Sequence, residues 1–401
     1  MRHLLTLILL LAAIWRPAQA EAGDTPGVSD DRIRIGMTAD LTGPIAFVGQ
    51  EASAGARLYL QHVNTQGGVH GRTIDLKVED DGYSPPRTVA AFRKLIDRDQ
   101  VFCLFSTVGT PTSAALFPFA QRERIPIVFP LSMGSPAHTP AKQYVFAADP
   151  SYNIQAWLIV QHILKSEEGT APSLAILYQD DDFGRDGLKG LRQAATHHGL
   201  DIVAEEPHKR GAVDFSAQVL NLRRADPTHV IFYSPPREIA AVLRKAHAAG
   251  WSPGFISSVA AADDKVVELA GEAAAGYQAL QIIDLRDTDP HLQQYRALLQ
   301  ERDPGRKAGF YHALGYWAAQ VLVEGLQRAG RDLTREKLVT ALETFDQWDQ
   351  SIGPPLTYGP GLRGGLNASA FMMRADVEQK KLVRISDDWI HFERPAEVAG
   401  Q

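Results

Sequence analysis

The sequence predicts an α/β protein of two lobes, each a mostly parallel sheet flanked by helices. Three observations carry this. Strand-like and helix-like segments alternate along most of the chain, the pattern of parallel α/β architecture. The alternation comes as two similar runs, the second opening after Asp149-Pro150-Ser151-Tyr152. Once an export leader is set aside, about 380 residues remain, more than one ordinary core holds.

The leader comes first. Met1-Arg2-His3 is a short positive stretch, residues 4–14 are apolar, and Ala18-Gln19-Ala20 is a small-x-small cleavage site. This is the layout of a secretory signal peptide. The apolar run is shorter than the roughly 20 residues a bilayer span needs, and Arg16-Pro17 interrupts it. Residues 1–20 are therefore expected to be removed near Ala20. No cysteine lies there to carry a lipid, so the mature chain is expected to be free in the periplasm.

A strand through Arg34-Ile35-Gly36-Met37 runs into the turn Thr42-Gly43-Pro44. A helix over 52–64 follows, with Ala56, Leu60 and Val63 on one face. Gly67-Gly68 closes it and leads to a strand over 74–78, then Glu79-Asp80-Asp81. Strands over 101–105, 125–129 and 145–148 alternate with a helix over 113–124. The second run has helices over 153–165, 185–198, 216–224 and 263–271, and one ending at Gly250. Its strands cover 174–178, 202–206, 229–233 and 255–258. Gly199 is a sensible stop for the second of these helices. Farther on, helices over 311–328 and 334–343 precede a hairpin of 371–375 and 381–385.

Net charge of −6 falls to −8 when Arg2 and Arg16 leave with the leader. With no stripe of Lys and Arg, nucleic acid is not an expected partner. Cys103 is the single cysteine, so no internal disulfide is available, and its strand setting marks it as a small buried hydrophobe. No nucleophile elbow, zinc signature or Walker loop occurs. No metal, cofactor or catalytic residue is expected, and the chain is not expected to be an enzyme. His197-His198 reads as a solvated helix end, and Asp180-Asp181-Asp182 as a capped loop.

The order and spacing of Thr42-Gly43-Pro44, residues 64–71, Asp80-Asp81, Asp182-Phe183-Gly184, Asp214-Phe215-Ser216 and Ala270-Gly271 resemble a known family. These are the type I periplasmic solute-binding proteins, above all the branched-chain amino acid receptors of ABC importers. The resemblance covers about 31–393. It implies a two-lobed type I periplasmic binding protein fold with three hinge crossings, near Ala148, Ala279 and Gly353. Lobe one would be 31–148 plus 280–352, lobe two 149–279 plus 353–393, with 394–401 a loose tail. The implied partners are a small-molecule ligand and an inner-membrane ABC permease or related transporter; a monomer is expected. The alternatives are an amino-acid-binding protein and a ligand-sensing receptor of the same fold.

By the same resemblance, a ligand carboxylate is held by Gly109 and Thr110 in one loop and Ser132 and Met133 in the next. Thr112 and Ser135 compete for the hydroxyl roles, and capping of the following helix competes for Thr110 and Thr112. Phe47, Tyr152, Phe183 and Pro236 would give apolar walls. The family's acid for the ligand ammonium falls on Val259, and its tyrosines on Phe183 and the Pro235-Pro236 loop. An ammonium buried there would lack a counter-charge, at a cost of several kcal/mol. The expected ligand is therefore more apolar than an amino acid: an aromatic or aliphatic carboxylate, or a lipid-like molecule.

Overall fold

The structure is a computed structural model, and it describes residues 25–148, 150–166, 171–286, 288–364, 368–385 and 389–392. The leader and the tail expected at 394–401 lie outside the described residues.

The first run builds one sheet. Its elements are β1 (Arg32–Ala39), α1 (Ala46–Thr65), β2 (Thr73–Asp80), α2 (Pro85–Arg93), β3 (Leu104–Phe105), α3 (Thr110–Glu123), β4 (Ile127–Val128) and β5 (Val145–Phe146). The order is β2-β1-β3-β4-β5 and every pairing is parallel. Helix α1 starts six residues before the expected 52. The cause is Asp40, whose carboxylate accepts the N–H groups of Thr42, Gly43 and Ile45 and so tightens the turn. Helix α3 likewise starts early, with Pro111 in its first turn, where the missing N–H costs nothing. The strand expected over 101–105 is regular only at its end, yet Phe102 N–H still donates to Arg34 O at 2.7 Å. Cys103 is buried in it, and burial pushes its thiol up to about 12, as a small hydrophobe requires.

The second run gives α4 (Tyr152–Ser166), β6 (Leu174–Gln179), α5 (Asp182–His198), β7 (Ile202–His208), α6 (Ser216–Ala225), β8 (His229–Tyr233), α7 (Pro236–Ala248), β9 (Gly254–Ser257), α8 (Asp264–Ala270) and β10 (Gln278–Gln281). Then come α9 (Pro290–Arg302), α10 (Phe310–Ala329) and α11 (Arg335–Leu342). The chain finishes with β11 (Tyr358–Gly359), β12 (Leu362–Arg363), β13 (Ser369–Asp376), β14 (Lys381–Arg384) and β15 (Ile390–His391). Strands β7-β6-β8-β9-β10 are parallel neighbours, and β13 and β14 extend that sheet antiparallel. Ala279 lies inside β10.

Helices α9, α10 and α11 return to the first sheet's side: α10 packs along α1, and α11 on α10. The α1–α10 crossing is close because Gly55 and Gly315 face the partner backbone; a Cβ on either would lie within 2.0 Å of a carbonyl oxygen. His197 and His198 end α5 with their rings against Trp157, and Asp181 caps that helix through the Phe183 N–H at 3.1 Å.

One buried acid has no role in this framework. Glu238, in the first turn of α7, is 1% exposed, and its Oε2 has no hydrogen-bond partner among the described residues. Burial pushes its pKa up to about 7. The folded value exceeds the unfolded one, so ionisation costs stability above that pH, and the cost fades as pH falls through it. Glu238→Gln should stabilise the protein by about 1–3 kcal/mol at about pH 8, with little gain at about pH 5. Urea unfolding at the two pH values checks this; an equal gain at both would rule out ionisation as the cause.

Candidate functional site

Ligands in open α/β sheets meet the carboxyl ends of the strands. Here the carboxyl ends of both sheets converge on one chamber of about 650 Å³, counting its open mouth. The first sheet's side supplies Ile45 and Val48 after β1, Val108 to Thr110 after β3, and Phe129 to Met133 after β4. The second sheet's side supplies Phe183 after β6, Pro235 after β8, and Val259 and Ala260 after β9. Phe310, Tyr311 and Leu314, at the start of α10, complete the wall. None of the lining residues carries a charge.

Contacts across the chamber hold the two sides together. The Gln179 amide donates to the Tyr83 hydroxyl at 2.8 Å, and Arg210 to the Tyr83 carbonyl at 2.9 Å. Asp186 accepts the Ser135 N–H at 2.8 Å and also its hydroxyl. Asp263 accepts the Phe310 N–H at 3.0 Å while capping α8 through the Lys265 N–H at 2.9 Å. The Tyr311 hydroxyl donates to Ala260 O. Burial raises the carboxyls that stand behind the walls: Asp81, Asp181 and Asp263 to about 6, and Asp186 in the same direction. Burial also holds Tyr152 at about 12, so its phenol stays neutral.

Seven of the nine residues singled out in the sequence line this chamber: Gly109, Thr110, Ser132, Met133, Tyr152, Phe183 and Val259. The competitors are engaged elsewhere. The Thr112 hydroxyl donates to Val108 O at 2.6 Å, and Ser135 is held by Asp186. Tyr152 packs edge-on against Phe183, ring centres 4.7 Å apart. Phe47 and Pro236 do not line the chamber. With α1 starting at Ala46, Phe47 is in its first turn, edge-on to Tyr311 at 6.1 Å, and Val48 takes the inner position. Pro236 begins α7 and faces an adjoining groove, leaving Pro235 inside.

Sequence reasoning missed Tyr83 and the α10 residues. Tyr83 has φ of 58°, a left-handed position that no neighbouring residue type announces. The aromatic pair Phe310-Tyr311 at a helix start was a usable signal.

A neutral chamber between two α/β lobes, walled by strand-end loops of both, is the kind of cleft in which a protein can enclose a small solute. The chain belongs to the periplasmic binding protein family, whose pattern it matches over residues 32–381. It is 23% identical over 329 residues to the leucine-, isoleucine-, valine-, threonine- and alanine-binding protein of Pseudomonas aeruginosa, covering 80% of this chain and 86% of that one. A Leu/Ile/Val-binding protein homologue of Brucella abortus is 22% identical, covering 92% and 95%. Among solved structures, a fatty acid ABC transporter substrate-binding protein from Thermomonospora curvata superposes with a TM-score of 0.82 at 24% identity, covering 92% and 94%. A branched-chain amino acid ABC transporter protein from Thermus thermophilus with bound valine gives 0.80 at 21%, covering 90% and 96%. At these identities the structures establish the fold. Among the described residues, no helix is long and apolar enough to cross a membrane.

Proposed function

We propose that this protein captures a small, largely apolar carboxylate or lipid-like molecule in the periplasm and delivers it to an inner-membrane ABC permease. One observation carries the reading: the chamber walls are neutral and mostly apolar, with the Thr110 and Ser132 hydroxyls beside the start of α3 as polar features. A helix start favours an anion, and hydroxyls can complete its hydrogen bonds. The lobes of this reading are 31–148 with 280–352 and 149–279 with 353–393, save that β10 carries the second on through Gln281. The ligand docks, the lobes close and water is excluded. An amino-acid ligand is the second reading, favoured by the valine found in the Thermus thermophilus protein.

Calorimetry with aliphatic and aromatic monocarboxylates tests the proposal. Thr110→Ala or Ser132→Ala should each weaken a bound acid by about 1–3 kcal/mol, the loss of a charge-assisted hydrogen bond. Unchanged affinity in both variants would remove the carboxylate from this end of the chamber.

A further inference from the structure

Beside the chamber lies a groove of about 810 Å³, counting the open solvent at its mouth. Ile45, Val48 and Pro235 line both spaces, so the two are neighbours with these three residues between them. Phe47 and Pro236 give the groove apolar walls, and Arg237, Arg244 and Lys265 line it as well. No acidic residue is among its walls. The walls of the chamber carry no charged residue and those of its neighbour carry three basic ones, a change of chemistry between adjacent spaces.

The three cations are incompletely neutralised. Arg237 is exposed and makes no hydrogen bond or ion pair among the described residues. It also stands in the first turn of α7, where the helix macrodipole disfavours positive charge. Arg244 donates to Leu269 O, a neutral acceptor. Lys265 lies 3.3 Å from Glu268, which it shares with Lys307 at 3.6 Å, and its ammonium sits 5.5 Å from the Phe47 ring centre. Like charges gathered on one apolar groove repel each other until an anion joins them.

We propose that the groove is a second subsite of the ligand site, which takes an anionic group at the far end of the ligand's apolar body. The preferred ligand class is then a dianion: one carboxylate at Thr110 and Ser132, an apolar chain or ring filling the chamber, and a second carboxylate over Arg237 and Lys265. This rests on the function proposed above and narrows it. The groove's position also gives the two sequence-marked residues outside the chamber, Phe47 and Pro236, a place on the ligand path.

The test is calorimetry on the full mature chain with a series of straight-chain acids, each as the monocarboxylate and as the α,ω-dicarboxylate of equal length. At the best length the dicarboxylate should bind about tenfold tighter, and the advantage should shrink as salt is raised. In the Arg237→Gln, Lys265→Gln double variant the ratio of the two affinities should fall to about one. Equal affinities in the wild-type protein, or a ratio that persists in the double variant, would overturn the second subsite and leave the apolar chamber standing. Saturable binding of neither acid would overturn the chamber's assignment, and the subsite with it.

Discussion

Leucine, isoleucine and valine should bind this protein no tighter than millimolar, while isocaproate, which is leucine with hydrogen in place of its amino group, binds about a hundredfold better. No wall of the chamber carries a negative charge. The nearest buried acids are committed elsewhere. Both oxygens of Asp263 accept backbone N–H groups, from Lys265 and Phe310, and Asp186 is held by Ser135. An α-ammonium would therefore be desolvated without a counter-charge, which costs several kcal/mol. One buried aliphatic side chain returns only about 1.5–3 kcal/mol. The desolvation cost wins. Val259, which is 2% exposed and lines the chamber, is the place to reverse the preference. Val259→Asp should narrow the gap between leucine and isocaproate by about tenfold or more. Calorimetry on the two ligands with both proteins decides the matter. Micromolar leucine binding to the wild-type protein would defeat the argument and mean that one of the committed acids turns into the chamber.

The sequence made the loops after β3 and β4 legible because both are strand ends of one sheet, close in the chain as well as in space. Thr110 and Ser132 came from the family resemblance, with Thr112 and Ser135 as competitors, and the structure puts Thr110 and Ser132 on the chamber wall. Phe47 and Pro236 show how far such reading is exact. Each misses the chamber by one residue, because a helix begins where a loop was expected and turns the side chain by about 100° per residue. Helices α2 and α9 escaped notice for another reason. Both open on proline, which reads as a loop, and α9 hides its buried face, Leu292, Tyr295, Leu298 and Leu299, among polar neighbours. Phe310, Tyr311 and Leu314 reach the site only through the packing of α10 on α1, a long-range contact that no local spacing encodes.

That packing carries the largest expected effect on stability. Gly55→Val and Gly315→Val should each destabilise the protein by about 3–5 kcal/mol, and the alanine variants by less but in the same direction. In an ordinary exposed helix interior, glycine to alanine is a gain of about 0.5–1 kcal/mol. Here the sign reverses. A Cβ on Gly55 would stand 1.8 Å from His312 O, and one on Gly315 2.0 Å from Ala52 O. Both obstacles are backbone, so no side chain can swing aside, and relief requires the two helices to separate. Separation has a functional cost as well. Helix α1 carries Val48 and the approach to Ile45, while α10 carries Phe310, Tyr311 and Leu314, so the crossing sets the distance between opposite parts of one wall. Acid ligands should therefore bind more weakly to Gly315→Ala even where it is fully folded. Urea unfolding midpoints and calorimetry on the same preparations separate the two effects. Gly315→Ala as stable as the wild type would mean that the helices can part without penalty, and that the chamber wall is not set by their contact.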